Sequence, residues 1–217
     1  MQKIIPALNA ENLEDILNLL DKSRDFLKTG DWVHLDVADG IYTGNKTWGD
    51  PDEFELKITE NFKYKYEIHL MVENPDEEIK RWIKNGVGRI IVHAEKIKDI
   101  SSLISLCGSN DIELSVSIGP EVDIGVIDSY IDSLSNIQIL AVTPGLAGQK
   151  FTESSVDKIS KLREKTNATI EIDGGMTEDT IEVCFDAGAD VFVSASYIFK
   201  NNNPKAAFEK LENAAGG

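Results

Sequence analysis

No stretch of the 217-residue chain approaches the ~20 consecutive apolar residues that a bilayer-spanning helix needs. The first residues lead straight into patterned sequence, without the apolar core of a secretory signal. Cysteine is equally scarce, since Cys107 and Cys184 are far apart and match no metal-binding spacing. We therefore expect a soluble, cytoplasmic protein that contacts no membrane and keeps its two thiols buried and unbridged.

Basic residues are the next shortage. Lys and Arg number 22 against 38 Asp and Glu, which gives a net charge of −16. A charge of this sign opposes binding to polyanions, so we expect no nucleic acid partner. It also repels phosphorylated small molecules at long range, so any phosphate site must be built from local groups.

What the chain has in quantity is repetition, because eight short β-branched runs alternate with eight amphipathic segments. The predicted strands are Lys3–Leu8, Trp32–Val37, Tyr66–Met71, Arg89–His93, Glu113–Ile118, Gln138–Val142, Thr169–Ile172 and Val191–Ser194. The predicted helices are Leu13–Arg24, Pro51–Ile58, Pro75–Asn85, Lys98–Leu106, Asp123–Leu134, Ser155–Glu164, Glu178–Ala187 and Pro204–Asn213. Eight such repeats predict an α/β fold, a single (β/α)8 TIM barrel domain over residues 1–217.

The competing architecture is an open, doubly wound sheet. That fold needs a glycine-rich phosphate loop after its first strand, and the segment 7–12, Ala-Leu-Asn-Ala-Glu-Asn, contains no glycine. The barrel is therefore favoured, and it predicts that functional residues lie at the C-terminal ends of the strands.

The chain has only three histidines, and all fall within or at the ends of predicted strands two, three and four. His34 and Asp36 are two residues apart, so a strand points both to one face, with Cα atoms about 7 Å apart. His69 lies on the neighbouring strand, and Asp173 follows strand seven. Two imidazoles and two carboxylates suit Zn, Fe, Mn or Co, although an ordinary polar layer capping the barrel is the alternative. His93 is interpreted as a supporting or core histidine rather than a ligand.

Small residues follow the last two predicted strands. Gly174 and Gly175 come after strand seven, and Ala195 and Ser196 come after strand eight. Barrels most often bind phosphate at these two loops through backbone N–H groups, so the position favours a phosphate site, although a tight turn explains the glycine pair equally well. The loop at 143–149, Thr-Pro-Gly-Leu-Ala-Gly-Gln, is expected either to close over a substrate or to be a plain long turn.

Five segments carry a more specific signal. They are His34-Leu35-Asp36-Val37-Ala38-Asp39-Gly40 with Asn45 and Thr47, Ile68-His69-Leu70-Met71-Val72 with Asn74-Pro75, Val92-His93-Ala94-Glu95, Pro144-Gly145-Leu146-Ala147-Gly148-Gln149-Lys150-Phe151, and Ile172-Asp173-Gly174-Gly175. In this order they resemble the motifs of the ribulose-phosphate 3-epimerase family. The resemblance runs from strand one to strand eight and implies a barrel of the ribulose-phosphate-binding type.

The resemblance implies a metal-dependent epimerase that converts D-ribulose 5-phosphate to D-xylulose 5-phosphate in the pentose phosphate pathway. His34, Asp36, His69 and Asp173 match the family's ligands for a divalent metal ion (Zn, Fe, Mn or Co), and Asp36 and Asp173 match its acid/base pair. The predicted substrate and phosphate contacts are Asn9, Met71, Gly145, Gly148, Gly174, Gly175, Ala195 and Ser196. Oligomeric state stays open, with a homo-oligomer as one option because family members are commonly dimers or hexamers.

The chain departs from the family where a substrate would be held. The family usually has Ser at the position of Asn9, Met at the positions of Ala38 and Leu140, and Gly at the position of Ala195, so that Met71 alone remains of three methionines. A wider pocket leaves two alternatives open. One is an epimerase of a hexulose 6-phosphate such as allulose 6-phosphate, and the other is a non-catalytic phosphosugar-binding barrel.

Two other classes of phosphate-binding barrel are discounted. Hexulose-phosphate synthases and orotidine-phosphate decarboxylases use an Asp-x-Lys-x-x-Asp strand motif. The corresponding segment 69–74, His-Leu-Met-Val-Glu-Asn, has no lysine.

Overall fold

In the computed structural model, which describes residues 2–84 and 86–216, eight strands close into a barrel in chain order. The strands are β1 (Ile4–Leu8), β2 (Trp32–Ala38), β3 (Lys65–Met71), β4 (Val87–His93), β5 (Glu113–Ile118), β6 (Asn136–Leu140), β7 (Thr169–Asp173) and β8 (Val191–Ser194). Every neighbouring pair is parallel, and β8 pairs with β1 to close the ring. The predicted (β/α)8 barrel is confirmed.

Helical segments connect the strands around the outside. The α-helices are α1 (Leu13–Ser23), α2 (Pro51–Glu53), α3 (Pro75–Trp82), α4 (Ile100–Gly108), α5 (Ser154–Arg163), α6 (Glu178–Asp186), α7 (Ser196–Phe199) and α8 (Pro204–Ala214). α2 continues directly into a π-helical segment, Phe54–Thr59. The predicted end of the third helix, Asn85, lies outside the described residues.

The helix predicted over Asp123–Leu134 is wrong as a single element. Two short 3₁₀ helices, Ile124–Ile127 and Ile131–Ser133, replace it. The carboxylate of Asp123 accepts the backbone N–H of Gly125 at 2.8 Å, which fixes a tight turn at the start of the segment. Asp side chains that bond to nearby backbone compete with the α-helical ladder, and glycine weakens that ladder further.

The two faces of the strands have different partners. Outward-facing side chains such as Leu35, Ile68, Ile90 and Val116 are completely buried in the apolar layer between barrel and helices. Inside the ring, the apolar cluster around Val193 belongs to β1 and β8. Burial on both faces explains the continuous apolar runs of strands such as β1, in which all five residues are apolar and buried.

Charged side chains fill the N-terminal half of the barrel interior. The guanidinium of Arg89 donates to Glu67 at 2.7 Å, to Glu171 at 3.1 Å and to Glu113 at 2.8 Å. Glu67 and Glu171 have no solvent exposure. Because buried carboxylates are tolerated only when paired, Arg89 compensates both charges. Burial and the neighbouring charge of Glu67 nevertheless raise the pKa of Glu171 to about 7.

Two further observations concern the chain's environment. Cys107 and Cys184 are free and buried, as predicted, and burial raises the pKa values of their thiols to about 11 and about 12. Among the helices in the described part of the chain, none combines the length and the apolarity needed to cross a membrane.

Candidate metal centre and active site

Four predicted ligands meet at the C-terminal ends of β2, β3 and β7. Strand register places Asp36 directly beside His69, while His34 lies one inward-facing position earlier on β2. One ligand atom from each of His34, Asp36, His69 and Asp173 lies within 4.8 Å of all the others. The structure therefore brings together the four residues that the sequence singled out.

The spacing of these atoms fits a divalent metal ion. Asp36 Oδ1 lies 3.2 Å from both His34 Nε2 and His69 Nδ1. Asp173 Oδ2 lies 3.6 Å from His69 Nδ1 and 3.9 Å from His34 Nε2. A tetrahedral ion with bonds of 2.0–2.1 Å separates its ligand atoms by about 3.3 Å. The donor set, two imidazole nitrogens and two carboxylate oxygens, suits Zn, Fe, Mn or Co.

A buried acceptor orients His34. Its Nδ1 atom lies 2.7 Å from Glu67 Oε1, and Arg89 binds the other oxygen of the same carboxylate. Burial would raise the pKa of Glu67, but the hydrogen bond from His34 and the charge of Arg89 hold it below its usual value. An ionised carboxylate only accepts, so Nδ1 keeps a proton, and Nε2 is the nitrogen that faces the metal centre and can bind an ion.

Protons would compete with a metal ion for this cluster. Burial would lower the pKa of His34, but hydrogen bonds to Asp36 and Glu67 outweigh it and raise that pKa well above its ordinary value. Burial would also lower the pKa of His69, but hydrogen bonds to Asp173 and Asp36 outweigh it and raise that pKa. Burial would raise the pKa of Asp36, whereas hydrogen bonds from both imidazoles hold it low. A divalent ion at this cluster would therefore have to displace imidazole protons.

A second group of possible ligand atoms lies deeper in the barrel, on His34, Glu67 and Glu171. Arg89 already lies between the two glutamates and supplies the compensating positive charge. The cluster of His34, Asp36, His69 and Asp173 is therefore the better candidate metal centre.

A small cleft opens above the cluster. His34 and His69 are completely buried, while Asp36 and Asp173 reach the cleft wall. The predicted contact residues Asn9, Met71, Gly145, Gly148, Gly174, Gly175, Ala195 and Ser196 all line this cleft. Their placement agrees with the prediction, and their binding of substrate stays a prediction.

Departures from the family motifs fall at two different places. Leu140 and Ala195 line the cleft, whereas Ala38 borders a separate groove between the loops that follow β2 and β3. Asn9 binds the protein itself, because its Nδ2 atom donates to Asp36 Oδ2 at 2.9 Å and to the carbonyl of Gly145 at 3.1 Å. Asn9 thus connects the Asp36 carboxylate to the loop after β6.

The glycine pair after β7 forms both a tight turn and a wall of the cleft. Gly174 and Gly175 have φ values of +103° and +72°, which L side chains rarely adopt. A Cβ atom on Gly175 would lie 2.5 Å from the backbone nitrogen of Phe151. The close approach of Phe151 therefore requires glycine at this turn, and both glycines present only backbone atoms to the cleft.

Lys200 is a candidate site residue that the sequence analysis missed. Its Nζ atom lies 3.3 Å from the point that a Cβ atom on Gly148 would occupy, beside Ser196. Lys200 follows Ser196 by four residues, and its N–H donates to the Ser196 carbonyl at 3.1 Å. This i, i+4 spacing after β8 was the available signal.

Comparison with known proteins decides the family. A model of the Ribulose-phosphate 3 epimerase family matches residues 3–199. The chain belongs to this family. Ribulose-phosphate 3-epimerase of Chlamydia trachomatis is 34% identical over 194 residues, covering 84% of this chain and 81% of the relative. That of Bacillus subtilis is 28% identical over 218 residues, covering 97% and 98%. The chain is accordingly an enzyme of a carbohydrate-epimerase family.

Two solved structures share the fold at low sequence identity. The 3-hexulose-6-phosphate synthase of Salmonella typhimurium has a TM-score of 0.74 at 14% identity, covering 99% of this chain and 98% of that one. The 3-keto-L-gulonate-6-phosphate decarboxylase of Vibrio cholerae has a TM-score of 0.74 at 13% identity, covering 99% and 97%. At these identities the likeness concerns the barrel alone.

Proposed function

We propose that this protein inverts carbon 3 of D-ribulose 5-phosphate to give D-xylulose 5-phosphate, with Asp36 and Asp173 as the acid/base pair. One observation carries the proposal. The two carboxylates come from β2 and β7, both line the same cleft, and both lie within 3.9 Å of the Nε2 atom of His34.

Inversion beside a carbonyl needs two proton-transfer groups. One group takes the proton of carbon 3, which leaves a planar enediolate, and the other delivers a proton to the opposite face. Asp36 directs Oδ1 to the imidazoles and Oδ2 to Asn9, so a hydrogen bond fixes the carboxylate's orientation. Two aspartates at one centre can therefore exchange the acid and base roles as the reaction reverses.

His34, Asp36, His69 and Asp173 would hold the divalent ion. When bound, it would supply positive charge that stabilises the negative charge developing on the substrate oxygens. Apolar side chains of Met71, Leu140, Val142 and Met176 also line the cleft, which would limit the access of water to the reacting carbon.

The phosphate end is proposed to lie over the bare backbone of the loops after β7 and β8. Gly175, Ala195 and Ser196 line that part of the cleft, and the ammonium of Lys200 lies beside Gly148 and Ser196. In a chain of net charge −16, this local cation would offset repulsion of a phosphate.

Metal analysis and a coupled assay with D-ribulose 5-phosphate test the proposal. We expect bound Zn, Fe, Mn or Co and turnover, with Asp36→Asn and Asp173→Asn each abolishing activity because each removes one proton-transfer group. A near-native rate in either variant contradicts these roles.

The same assay separates the alternatives. Allulose 6-phosphate is run beside D-ribulose 5-phosphate, and a preference for the six-carbon sugar would replace the proposed substrate. Phosphosugar binding without turnover of either sugar would identify a non-catalytic barrel.

A further inference from the structure

The ring nitrogen of His69 that faces away from the metal centre begins a chain of polar contacts. His69 Nε2 lies 3.0 Å from His93 Nε2, and the two rings stack with centroids 5.1 Å apart. His93 Nδ1 lies 3.1 Å from the hydroxyl oxygen of Tyr42, which lies 2.6 Å from Glu95 Oε1. This series of polar contacts, from His69 through His93 and Tyr42 to Glu95, joins β3, β4, the loop after β2 and the turn after β4.

The direction of these hydrogen bonds follows from the last member. Burial would raise the pKa of Glu95, but hydrogen bonds from His93 and Tyr42 outweigh that effect and hold the pKa at about 2. An ionised carboxylate only accepts, so the Tyr42 hydroxyl donates to Glu95. The Tyr42 oxygen can then only accept from His93 Nδ1, and Glu95 Oε1, which lies 3.6 Å from the same nitrogen, is also an acceptor, so Nδ1 carries a proton in either case.

The constraint passes on to His69. A neutral imidazole has one donor and one acceptor, so His93 donates from Nδ1 and accepts at Nε2. His69 must therefore donate its Nε2 proton to His93 across the 3.0 Å contact. Nδ1 is therefore the His69 nitrogen that faces the centre, 3.2 Å from Asp36 Oδ1, and it offers its lone pair once a metal ion displaces its proton.

We propose that Tyr42, Glu95 and His93 act as positioning residues, which fix the proton of His69 on Nε2 and so keep its Nδ1 free to bind the metal ion. The inference rests on the metal centre of the proposed function. With the opposite tautomer, Nδ1–H would donate to Asp36, and the metal would lose both a ligand lone pair and an undisturbed carboxylate oxygen.

The series of polar contacts also connects the metal centre to a surface loop. Asp39 Oδ1 accepts the backbone N–H groups of Ile41 and Tyr42 at 2.7 and 2.9 Å, which holds the loop in its present turn. The ammonium of Lys96 lies 5.0 Å from the centroid of the Tyr42 ring. Tyr42 is therefore held from several sides, as a positioning residue must be.

Zn²⁺ affinity, measured without substrate by competition with a chelating dye, tests the inference. Tyr42→Phe removes one hydroxyl group, and we expect about tenfold weaker Zn²⁺ binding, the lower end of typical losses around metal ligands. Tyr64→Phe is the matched control, because Tyr64 lies just before β3 at the opposite end of the barrel. The Zn²⁺ affinity of the Tyr64→Phe variant should equal that of the wild type. Zn²⁺ affinity of Tyr42→Phe within twofold of the wild type would overturn the inference.

A second variant tests whether the residues act as one chain. Glu95→Gln replaces the obligatory acceptor with an amide that can also donate, so we again expect about tenfold weaker binding. The double variant should lose little more than either single one, because both changes break the same path. A loss of about a hundredfold in Zn²⁺ affinity in the double variant would show that the two residues act independently, and it would refute a shared hydrogen-bond path.

Ring ¹⁵N chemical shifts provide a readout that a merely structural role would not fix. We expect His93 to be the Nδ1–H tautomer in wild-type protein, with or without Zn²⁺, and the Nε2–H tautomer would refute the inference. Wild-type protein that binds no divalent metal would instead refute the proposed metal centre. The ¹⁵N shifts of the metal-free protein would still decide the direction of the hydrogen bonds from His69 to Glu95.

Discussion

Arg89→Met should be strongly destabilising, because it removes the cation that compensates two glutamates inside the barrel. The guanidinium lies 2.7 Å from Glu67 and 3.1 Å from Glu171, and neither glutamate is exposed. Methionine keeps an apolar stem of similar length against the ring of Trp32, which lies 4.8 Å from the guanidinium carbon. The change therefore isolates the charge rather than the packing.

Removing one partner of a buried ion pair costs about 3–5 kcal/mol, because the other charge stays buried without compensation. Total stabilities of about 5–15 kcal/mol are usual, so Arg89→Met should lose a large part of the free energy of unfolding. Equilibrium unfolding in urea, followed by far-UV circular dichroism, measures this loss. Adding Glu67→Gln and Glu171→Gln should recover part of it, because the orphaned charges are then removed.

Arg81→Met provides the matched control. Arg81 pairs with Glu78 at 2.9 Å on the surface of α3, where 59% of its side chain is exposed. Exposed pairs contribute about 0–1 kcal/mol, so this variant should unfold almost as the wild type does. The reasoning is refuted if Arg89→Met also loses less than about 1 kcal/mol, since the buried glutamates would then not depend on the arginine.

Three further predictions concern the cleft and the metal centre. Asn9→Ala removes the hydrogen bond that orients Asp36, and kcat should fall by about tenfold or more, as expected for a bond to a charged group; an unchanged kcat would contradict this role. Lys200→Gln should raise KM for the phosphorylated substrate by about tenfold with kcat retained, whereas Lys205→Gln, on the exposed surface of α8, should change neither; equal KM values for both variants would remove Lys200 from the site. Zn²⁺ affinity should rise with pH from 6 to 8, because the imidazole ligands have raised pKa values and bind the ion only after losing a proton; a flat profile in calorimetry would show that protons do not compete.

The barrel and the position of its site could be predicted from sequence because both depend on short-range patterns. Strand–helix repetition predicts the closed sheet, and the two-residue spacing of His34 and Asp36 places both on one face. Strand ends in a parallel barrel meet at one mouth, so His69 and Asp173 could be added without knowledge of the register.

Contacts across the barrel depend on register, which the sequence does not specify. The pairing of β3 with β4 shifts between Tyr66 and Glu67, and this shift helps bring Arg89 beside Glu67. A single arginine within a β-branched run gives no sign of its partners on other strands. The role of Asn9 was equally hidden, because its bonds depend on where the loop after β6 lies.

Hydrogen exchange at carbon 3 tests the central claim, that two aspartates at one metal centre transfer protons on opposite faces of the sugar. Metal-loaded protein is incubated with D-ribulose 5-phosphate in deuterated water, and the product is examined by NMR. We predict D-xylulose 5-phosphate with deuterium at carbon 3, and no deuterium incorporation with Asp36→Asn or Asp173→Asn. Product that retains its original hydrogen at carbon 3 would contradict the account.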